Sequence, residues 1–323
     1  MRPPVAQETS ASSVLLTGGT GFVGRAVLAE LLAQEHRVTA LVRSPEKLEA
    51  VVADLDGDRV QAVEGTLFDA PRLGDAFQGC QAVIHLVGII METPSSGQTF
   101  DRIHRQGTQA VVDAAVAAGV RRFVHMSALG SRPEAKSRYH GSKWAGEEIV
   151  RSSGLDWTLF RPSIIHGPQG EFMELLKTFA CGLIPPVMPY FGSGRARLQP
   201  VSVRDVAHCF VSALNRPETV GQTYDLGGPR TYSWRELYAV AKRLIPGARR
   251  WKPRVGQPVF MARLLAATLM KTPLVPAKLK FNADQVIMSQ EDSVCDHTAV
   301  ESAFGIKLRD FEAELSEYGG RIR

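Results

Sequence analysis

A glycine-rich turn near the start of the chain limits the possible folds more than any other feature. The segment Thr17–Gly24 reads TGGTGFVG and lies between a strand-like run, Ser13–Thr17, and a helical pattern that continues to Gln34. Glycines at 18, 21 and 24 permit a tight turn, close backbone approach to a pyrophosphate, and close packing of helix on strand. The free N–H groups and the positive dipole end of a helix N-terminus also suit phosphate. The segment therefore predicts a strand–turn–helix unit that binds a dinucleotide.

The end of the next strand-like run, Arg37–Val42, indicates which dinucleotide is preferred. A site for NAD usually has an acid there, about 20 residues after the turn, which accepts hydrogen bonds from ribose hydroxyls. Val42 takes that position here, and Arg43 and Ser44 follow. A guanidinium and a hydroxyl can both bind a 2′-phosphate. We therefore expect NADP(H) as the preferred cofactor and NAD(H) as the alternative, while a solvated loop arginine is the non-functional interpretation.

The first half of the chain alternates strand-like and helical segments. Helical patterns such as Phe100–Ala118 and Tyr139–Ser152 separate the strand-like runs. After the first run, these are Arg37–Val42, Val60–Glu64, Ala82–Val87, Arg122–Met126 and Leu155–Phe160. This alternation predicts an α/β fold with a Rossmann-type, doubly wound parallel sheet that has helices on both faces.

The second half is interrupted by prolines and glycines from about Gly167 onward. Residues 195–228 contain a strand-like run at Arg197–Val201, a helical pattern at Ser202–Leu214 and a second strand-like run at Gln222–Leu226, which predicts a return to the sheet. Residues 167–194 and 229–323 are expected to form a small, mostly helical substrate or partner lobe over the carboxyl edge of the sheet. The dinucleotide-binding domain then spans 13–166, joined by 195–228, and residues 1–12 form a flexible leader.

Three further residues form a candidate acid–base group. Tyr139 and Lys143 lie four residues apart in a helical pattern and therefore share one helix face. A lysine ammonium beside a phenol lowers the tyrosine pKa and prepares the phenol to exchange a proton with a carbonyl or alcohol oxygen. Ser127 follows the strand-like run Arg122–Met126 and could hold the same oxygen. We predict that Ser127, Tyr139 and Lys143 are catalytic; a surface tyrosine–lysine pair is the alternative.

Metal sites and disulfides are not indicated. The chain has four cysteines, far apart and without a CxxC pair, which fits a reducing compartment. The eight histidines show no HExxH or other metal-ligand spacing, so no metal site is predicted. His140 and His166 lie near the proposed cleft and are candidate substrate contacts, with packing or surface roles as the alternative.

Charge is distributed unevenly along the chain. The net charge is +5, but residues 242–280 contain ten basic residues and no acidic residue, while the remainder has 28 basic and 33 acidic residues. This basic segment surrounds an apolar stretch, Val259–Met270, interrupted by Arg263. Because no recognition motif accompanies it, nucleic acid is not expected as a partner. A solvated basic face is one interpretation, and an amphipathic surface for anionic lipid or an apolar partner such as a respiratory complex is the other.

Targeting patterns are weak. The first 13 residues, MRPPVAQETSASS, contain no apolar run of the kind that a secretory signal requires. No stretch reaches the roughly 18 uncharged apolar residues of a spanning helix. We therefore expect a cytoplasmic protein, or one associated peripherally with the inner face of the membrane.

The order of these motifs resembles that of the atypical and extended short-chain dehydrogenases/reductases. The matching segments are TGGTGFVG at 17–24, LVRS at 41–44, AVIHLVG at 82–88, HMSALG at 125–130, YHGSK at 139–143 and FRPSIIHGP at 160–168. Segments 191–207 and 221–237 are similar, more narrowly, to bacterial relatives of the 39-kDa accessory subunit of respiratory complex I. The resemblance covers roughly residues 13–320, and it implies a Rossmann fold and an NAD(P)(H) cofactor.

The resemblance also implies roles for single residues. Asp69 falls near the family's adenine-contacting acid, although Thr66 departs from the usual Gly-Asp-Leu-x-Asp pattern. Lys143 would also bond the nicotinamide ribose, and Pro162 and Ser163 would line the nicotinamide end. Motifs and resemblance together give the predicted cofactor-binding residues: Gly18, Thr20, Gly21, Phe22, Val23, Gly24, Arg43, Ser44, Asp69, Leu86, Val87, Gly88, Lys143, Pro162 and Ser163.

These features predict an NAD(P)H-dependent oxidoreductase that transfers hydride to or from a hydrophobic carbonyl or quinone-like substrate, with Tyr139 as acid–base. The family's mitochondrial subunit is thought to hold NADPH without turnover. A non-catalytic NADPH-binding accessory or assembly protein of the complex I type is therefore the second interpretation. A nucleotide-sugar epimerase or dehydratase, which shares the fold and the three residues, is the third.

Overall fold

A seven-stranded parallel sheet organises the chain. The computed structural model describes residues 12–53, 55, 57–272, 275, 276 and 279–322, so all of the predicted leader except Ser12 lies outside the described residues. The strands of the sheet are β1 (Ser13–Thr17), β2 (Arg37–Val42), β3 (Val60–Glu64), β4 (Ala82–His85), β5 (Arg122–Met126), β6 (Asp156–Pro162) and β11 (Gln222–Leu226). Their order across the sheet is β11–β6–β5–β4–β1–β2–β3. The strand order reverses between β1 and β4, where doubly wound folds bind dinucleotides.

Helices cover both faces of this sheet, which confirms the predicted Rossmann-type fold. The helices on one face are α1 (Phe22–Ala33), α2 (Pro45–Val52), α7 (Val203–Leu214) and α11 (Thr298–Phe304). Those on the other face are α3 (Ala70–Phe77), α4 (Gly107–Ala117) and α5 (Arg138–Ser152). Central strands are therefore buried on both sides, and β1 accordingly carries Val14, Leu15 and Leu16 without exposed surface.

A third core lies outside the sheet, in the lobe. It is formed mainly by α6 (Glu171–Cys181), α8 (Trp234–Leu244) and α12 (Phe311–Tyr318). A capping box at Ser233 and Glu236 begins α8, whose buried face includes Leu237 and Tyr238. Two shorter helices, α9 (Val259–Ala267) and α10 (Ala283–Met288), complete the helical part of the lobe.

Short strand pairs join the lobe to the sheet. The pairs are β7 (Ile165–His166) with β10 (Val201–Ser202), β9 (Arg197–Leu198) with β12 (Tyr232–Ser233), and β8 (Met188–Phe191) with β13 (Arg254–Gln257). The predicted single strand Arg197–Val201 is thus wrong, because Pro200 interrupts it and the two ends pair with different partners. The predicted return to the sheet is correct, since β11 pairs with β6.

Candidate cofactor and active site

The glycine-rich turn lies at the carboxyl end of β1 and begins α1. Gly18 has φ +78°, in the left-handed region that favours glycine. A Cβ built on Gly24 would lie 2.0 Å from the Gly18 carbonyl oxygen, so only glycine fits at this position. Gly21 is the N-cap of α1, and its N–H donates to the Gly18 oxygen at 3.0 Å. The turn is a backbone cradle at a helix N-terminus, which fits the pyrophosphate of a dinucleotide.

Several predicted cofactor-binding residues surround this cradle. The backbone of Leu86 and Val87, after β4, lies 3.3 Å from the position that a Cβ on Gly18 would take. The Phe22 ring packs against Gly167, and Thr20 accepts a hydrogen bond from the Arg25 Nε at 3.2 Å through its carbonyl. Val23, in contrast, points into the core and is only 9% exposed. Any contribution of Val23 to cofactor binding therefore comes from its backbone.

The β2 end lies beside the cradle, because Leu41 is the register partner of Thr17. Arg43 is exposed there. The Ser44 hydroxyl donates to the Glu46 carboxylate at 2.6 Å, and this bond lowers the pKa of Glu46. The Ser44 proton is thus directed to Glu46, and the Arg43 side chain remains exposed at the end of β2.

Asp69, to which the resemblance assigns the adenine, serves a helix in this structure. Its side chain accepts a hydrogen bond from the Arg72 N–H at 3.3 Å and caps α3. Thr66, which departs from the family pattern, accepts from the Phe68 N–H at 3.3 Å. The segment is therefore a capped turn whose exposed carboxylate lies at the start of α3.

Tyr139 and Lys143 share one face of α5, as the four-residue spacing predicts. Lys143 is 3% exposed, and its Nζ donates to the Met126 carbonyl at the end of β5, at 2.6 Å. The same Nζ lies 3.5 Å from where a Cβ on Gly88 would be, so it faces the loop after β4. Lys143 therefore lies at the carboxyl edge of the sheet, on the same side as the glycine cradle.

The pKa of Tyr139 shifts in the direction opposite to the sequence-based prediction. Burial raises it to about 12, and no lowering by Lys143 opposes this. Burial also lowers the pKa of Lys143 to about 8, although the Glu147 carboxylate opposes that shift. Desolvation thus outweighs the expected charge effect. At neutral pH the phenol is protonated and can donate its proton.

Ser127 is not joined to this pair. Its side chain is 3% exposed, and its hydroxyl donates to the Glu147 carboxylate and lies 3.2 Å from the Ser131 Oγ. In the part of the chain that the structure describes, no hydrogen bond links Ser127 to Tyr139 or Lys143. The Ser127 hydroxyl therefore lies in contact with Glu147, one residue after the Met126 carbonyl that accepts from Lys143.

Glu147 is a fully buried carboxylate that the sequence-based prediction missed. It accepts hydrogen bonds from Arg161 Nε and Nη2, at 2.8 and 2.6 Å, and from Arg151 Nη2 at 2.7 Å. The signal in the sequence was its spacing: Tyr139, Lys143 and Glu147 follow one another at four-residue intervals on one helix face.

His104 is a second residue that was missed. It lies on a π-helical turn, Asp101–Gln106, which precedes α4. Its Nδ1 lies 2.8 Å from the Ser142 Oγ, its Nε2 accepts from the Ile89 N–H at 3.0 Å, and its ring packs edge-on against Tyr139. Burial lowers its pKa to about 2, so the ring is neutral. His104 therefore ties the loop after β4 to the helix that carries Tyr139.

The two predicted substrate histidines differ in position. His140 lies beneath Gly130 and beside the Tyr139 ring, at 5.3 Å between ring centroids. His166 is fully buried, with its Nδ1 3.1 Å from the Tyr318 hydroxyl and its ring against Phe311. The substrate contact expected of His166 is not available in this structure, because β7 directs its ring into the lobe core.

Residues 282–296, which we call the C-terminal strap, cross the carboxyl edge of the sheet. Asn282 donates to the Ile90 carbonyl at 3.1 Å, and Asp284 accepts from the Arg138 N–H at 2.6 Å. The Ser163 hydroxyl donates to the Ser293 carbonyl at 2.9 Å. Ser163, and Pro162 before it, thus lie under the strap at the end of β6.

Comparison with known proteins agrees with this geometry. The sequence profile of a family described as NAD(P)H-binding matches residues 18–217, from the glycine turn to the segment after α7. The chain belongs to the NAD(P)H-binding family. This assignment confirms the prediction that the cofactor class is NAD(P)(H). The relatives of the chain include both reductases and complex I subunits. In the described ranges, no group of three or more His, Cys, Asp or Glu side chains is placed to hold a metal ion.

Two relatives and one solved structure are similar to this chain. The chain is 29% identical to a mitochondrial subunit of Arabidopsis thaliana, NADH dehydrogenase [ubiquinone] 1 alpha subcomplex subunit 9, over 90% of this chain and 73% of that protein. It is 32% identical to a ceramide reductase of Caulobacter vibrioides, over 75% of this chain and 72% of that protein. The structure of DesIV, a dTDP-glucose 4,6-dehydratase of Streptomyces venezuelae with NAD and TYD bound, shares the fold at a TM-score of 0.73 and 23% identity, over 95% of each chain.

Proposed function

We propose that this family member is an NADP(H)-dependent oxidoreductase that acts on a hydrophobic carbonyl or quinone-like compound. One observation carries the proposal: Lys143 Nζ lies 3.5 Å from the Gly88 Cβ position at the edge of the cradle, with Tyr139 one helical turn before it. This position supports contact of Lys143 and Tyr139 with the nicotinamide end of a dinucleotide bound at the glycine turn. The Caulobacter relative is named for a lipid, which supports a hydrophobic substrate here.

Tyr139, Lys143 and the glycines of the turn each have a separate role in the proposed reaction. A bound NAD(P)H supplies a hydride to the carbonyl carbon when it is present. The Tyr139 hydroxyl gives its proton to the substrate oxygen, and its pKa of about 12 keeps that proton available at neutral pH. The Lys143 ammonium, one turn away, stabilises the phenolate that remains. Gly18, Gly21 and Gly24 hold the pyrophosphate.

Tyr139→Phe tests this assignment, because it removes the hydroxyl and keeps the ring. We expect turnover of NADPH with long-chain ketones, aldehydes and quinones to fall by about a hundredfold or more, while the Kd for NADPH stays unchanged. A variant that turns over as fast as the original protein would contradict the acid–base role of Tyr139.

The preference for NADP(H) is proposed on Arg43, since Ser44 is already bonded to Glu46. Arg43→Ala is expected to weaken NADPH binding by about tenfold, the range of one charge-assisted contact to phosphate, and to leave NADH binding unchanged. Ser44→Ala is the matched control and should change neither Kd by much. Equal losses for both cofactors in Arg43→Ala would contradict the preference. Mass spectrometry of nucleotide released from the purified protein supplies an independent check.

One observation favours a second function. In this function the chain is a non-catalytic NADPH-binding accessory or assembly protein of a respiratory complex. The Arabidopsis complex I subunit matches 90% of this chain, so the likeness includes most of the lobe. In that case bound NADPH stabilises the fold by mass action. Tight NADPH binding without turnover on any carbonyl or quinone, and a Tyr139→Phe variant that keeps cofactor and partner binding, would establish this function in place of the first.

A sugar-nucleotide enzyme is the third possibility and rests on the fold alone, because the DesIV likeness lies at 23% identity. Thermal shift measurements with UDP- and dTDP-sugars separate it from the others. We expect no shift beyond the one that NADPH itself produces.

We also propose that the basic segment 242–280 meets an anionic membrane. Within it, α9 buries Ala262 and Ala266 against the protein, whereas Phe260 and Leu264 are 73% and 61% exposed. Arg263 is exposed on the same helix. Exposed apolar side chains combined with basic ones are typical of a surface that binds the headgroup boundary of a bilayer. In the described ranges, no helix is both long and apolar enough to cross a membrane.

Vesicle sedimentation tests the membrane proposal. We expect the protein to pellet with phosphatidylglycerol vesicles and not with phosphatidylcholine vesicles, and the double variant Phe260→Ser/Leu264→Ser to remain in the supernatant. Equal recovery with both vesicle types would contradict it and would favour a merely solvated basic face.

A further inference from the structure

The hydrogen bond between Ser127 and Glu147 determines what Ser127 can offer the cleft. A serine hydroxyl has one proton, and two acceptors lie close to it: the Glu147 carboxylate and the Ser131 Oγ. A carboxylate is the stronger acceptor, so the proton of Ser127 goes to Glu147. The Ser131 Oγ, 3.2 Å away, is the weaker of the two acceptors. The Ser127 hydroxyl is therefore not available as a donor to a substrate carbonyl.

The surroundings of Glu147 hold this arrangement in place. The carboxylate is fully buried, and each of its oxygens has two donors: Ser127 and Arg161 Nε on Oε1, Arg161 Nη2 and Arg151 Nη2 on Oε2. A buried charge is tolerated only when its partners are in place. Rotation of the Ser127 hydroxyl toward the cleft would remove one of the four donors, so the network opposes it.

The same network adjoins the groups that hold Lys143. The Ser127 N–H donates to the Phe160 carbonyl of β6 at 2.7 Å, and the neighbouring Met126 carbonyl accepts from Lys143 Nζ. Glu147 thus ties three elements together: α5, on which it lies, the end of β5 through Ser127, and β6 through Arg161. The position of the carbonyl that holds Lys143 depends on these ties.

We propose that Glu147 is a positioning residue for Lys143, and that Ser127 belongs to the Glu147 network and does not bind substrate. Acid–base chemistry then rests on Tyr139 and Lys143 alone. The inference deepens the proposed oxidoreductase function and depends on it for the turnover measurement only, because the link between Ser127 and Glu147 can be measured in the folded protein without a substrate.

A double-mutant cycle on the free energy of unfolding tests the link. Ser127→Ala and Glu147→Gln are each expected to lower stability, and the double variant to lower it by less than the sum of the two. Ser131→Ala is the control and should lose less than Ser127→Ala. Additive effects of Ser127→Ala and Glu147→Gln would overturn the proposed network, whether or not the protein turns over any substrate.

Turnover separates a positioning role from substrate binding. We expect Ser127→Ala to lose less than about tenfold in kcat, against about a hundredfold or more for Tyr139→Phe. Because Ser127→Ala keeps every charge of the network, this comparison stands even if Glu147→Gln does not fold. A loss in Ser127→Ala as large as that in Tyr139→Phe, with unchanged stability, would place the Ser127 hydroxyl on the substrate and overturn the proposal.

The titration of Lys143 separates positioning by the Glu147 network from the plain effect of the Glu147 charge. It is followed by the chemical shift of Cε in isotope-labelled lysine, assigned with Lys143→Met. The ionisable groups that act on its ammonium are Glu147 on the same helix, His85 on β4, His104 on the π-helical turn and His125 on β5. Glu147→Gln removes a negative charge and is expected to lower the pKa of Lys143. Ser127→Ala keeps that charge but releases the end of β5 from Glu147, and is expected to shift the pKa of Lys143 by a smaller amount. An unchanged titration in Ser127→Ala would overturn the positioning role.

Discussion

The glycine turn and helix α9 differ in what explains their residues. At the turn, the constraint comes from inside the chain, since the Gly18 carbonyl leaves no room for a Cβ on Gly24. On α9, Ala262 and Ala266 are explained by burial against the protein, but Phe260 and Leu264 lie mostly in solvent. Internal packing therefore explains the glycine turn completely, but it explains only the buried residues of α9. The exposed residues of α9 are the ones on which the membrane proposal rests.

The largest expected effect comes from Gly24→Ala. The added Cβ would lie 2.0 Å from a backbone oxygen that cannot move aside, so we expect a loss of about 3 kcal/mol or more in the free energy of unfolding. Binding of NADPH should be lost as well, because the cradle is deformed. Chemical denaturation and fluorescence titration measure the two effects.

Gly74→Ala is the matched control for Gly24→Ala. It also lies inside a helix, but nothing is within 4 Å of its Cβ position, so alanine should stabilise the protein by about 0.5–1 kcal/mol. If Gly24→Ala bound NADPH like the control, the turn would not be the pyrophosphate site.

A smaller effect is expected from His104 alone, whose replacement should reduce the loss of stability at low pH. Burial lowers the pKa of His85 to about 3 and that of His104 to about 2, both from 6.5. The unfolded chain therefore binds more protons than the folded one below pH 6.5, and stability falls as pH falls. Each histidine contributes about 1.4 kcal/mol per pH unit in this window. Urea denaturation at pH 7 and pH 5 measures the fall, which should be reduced in His104→Gln; an equal fall in that variant would contradict the buried, neutral state of His104.

The smallest effect on stability is expected on α9. Phe260→Ser and Leu264→Ser should change the free energy of unfolding by no more than about 0.5 kcal/mol, because both side chains are already exposed. Leu237→Ala, on the buried face of α8, should cost about 2–5 kcal/mol by comparison. A large loss in the α9 variants would mean that the helix packs against its own chain, and the comparison with the glycine turn would no longer hold.

The local sequence pattern was sufficient to predict the strands of the central sheet. The predicted bounds of β1, β2, β3, β5 and β11 coincide with those in the structure, because each is a short strand-like run between turn or loop residues. The spacing of Tyr139 and Lys143 likewise placed both on one helix face. In these cases the information lies within a few residues of the element that it determines.

Such local patterns could not predict the direction of a buried hydrogen bond. Ser127 follows a strand at the edge of the cleft, yet its partner Glu147 lies 20 residues later and is held by Arg161 on another strand. The pKa of Tyr139 was misjudged for a similar reason, since spacing shows the nearby charge but not the burial that outweighs it. The π-helical turn that carries His104 also cannot be recognised from the helical periodicity of the sequence.

The C-terminal strap has a consequence for the timing of synthesis. The last strand of the sheet ends at Leu226, whereas the contacts of Asn282, Asp284 and Ser293 across its edge come from residues made later. Domains fold as units while the chain emerges from the ribosome. The sheet strands are therefore complete in the nascent chain before the strap is made, and the strap contacts are expected to form last.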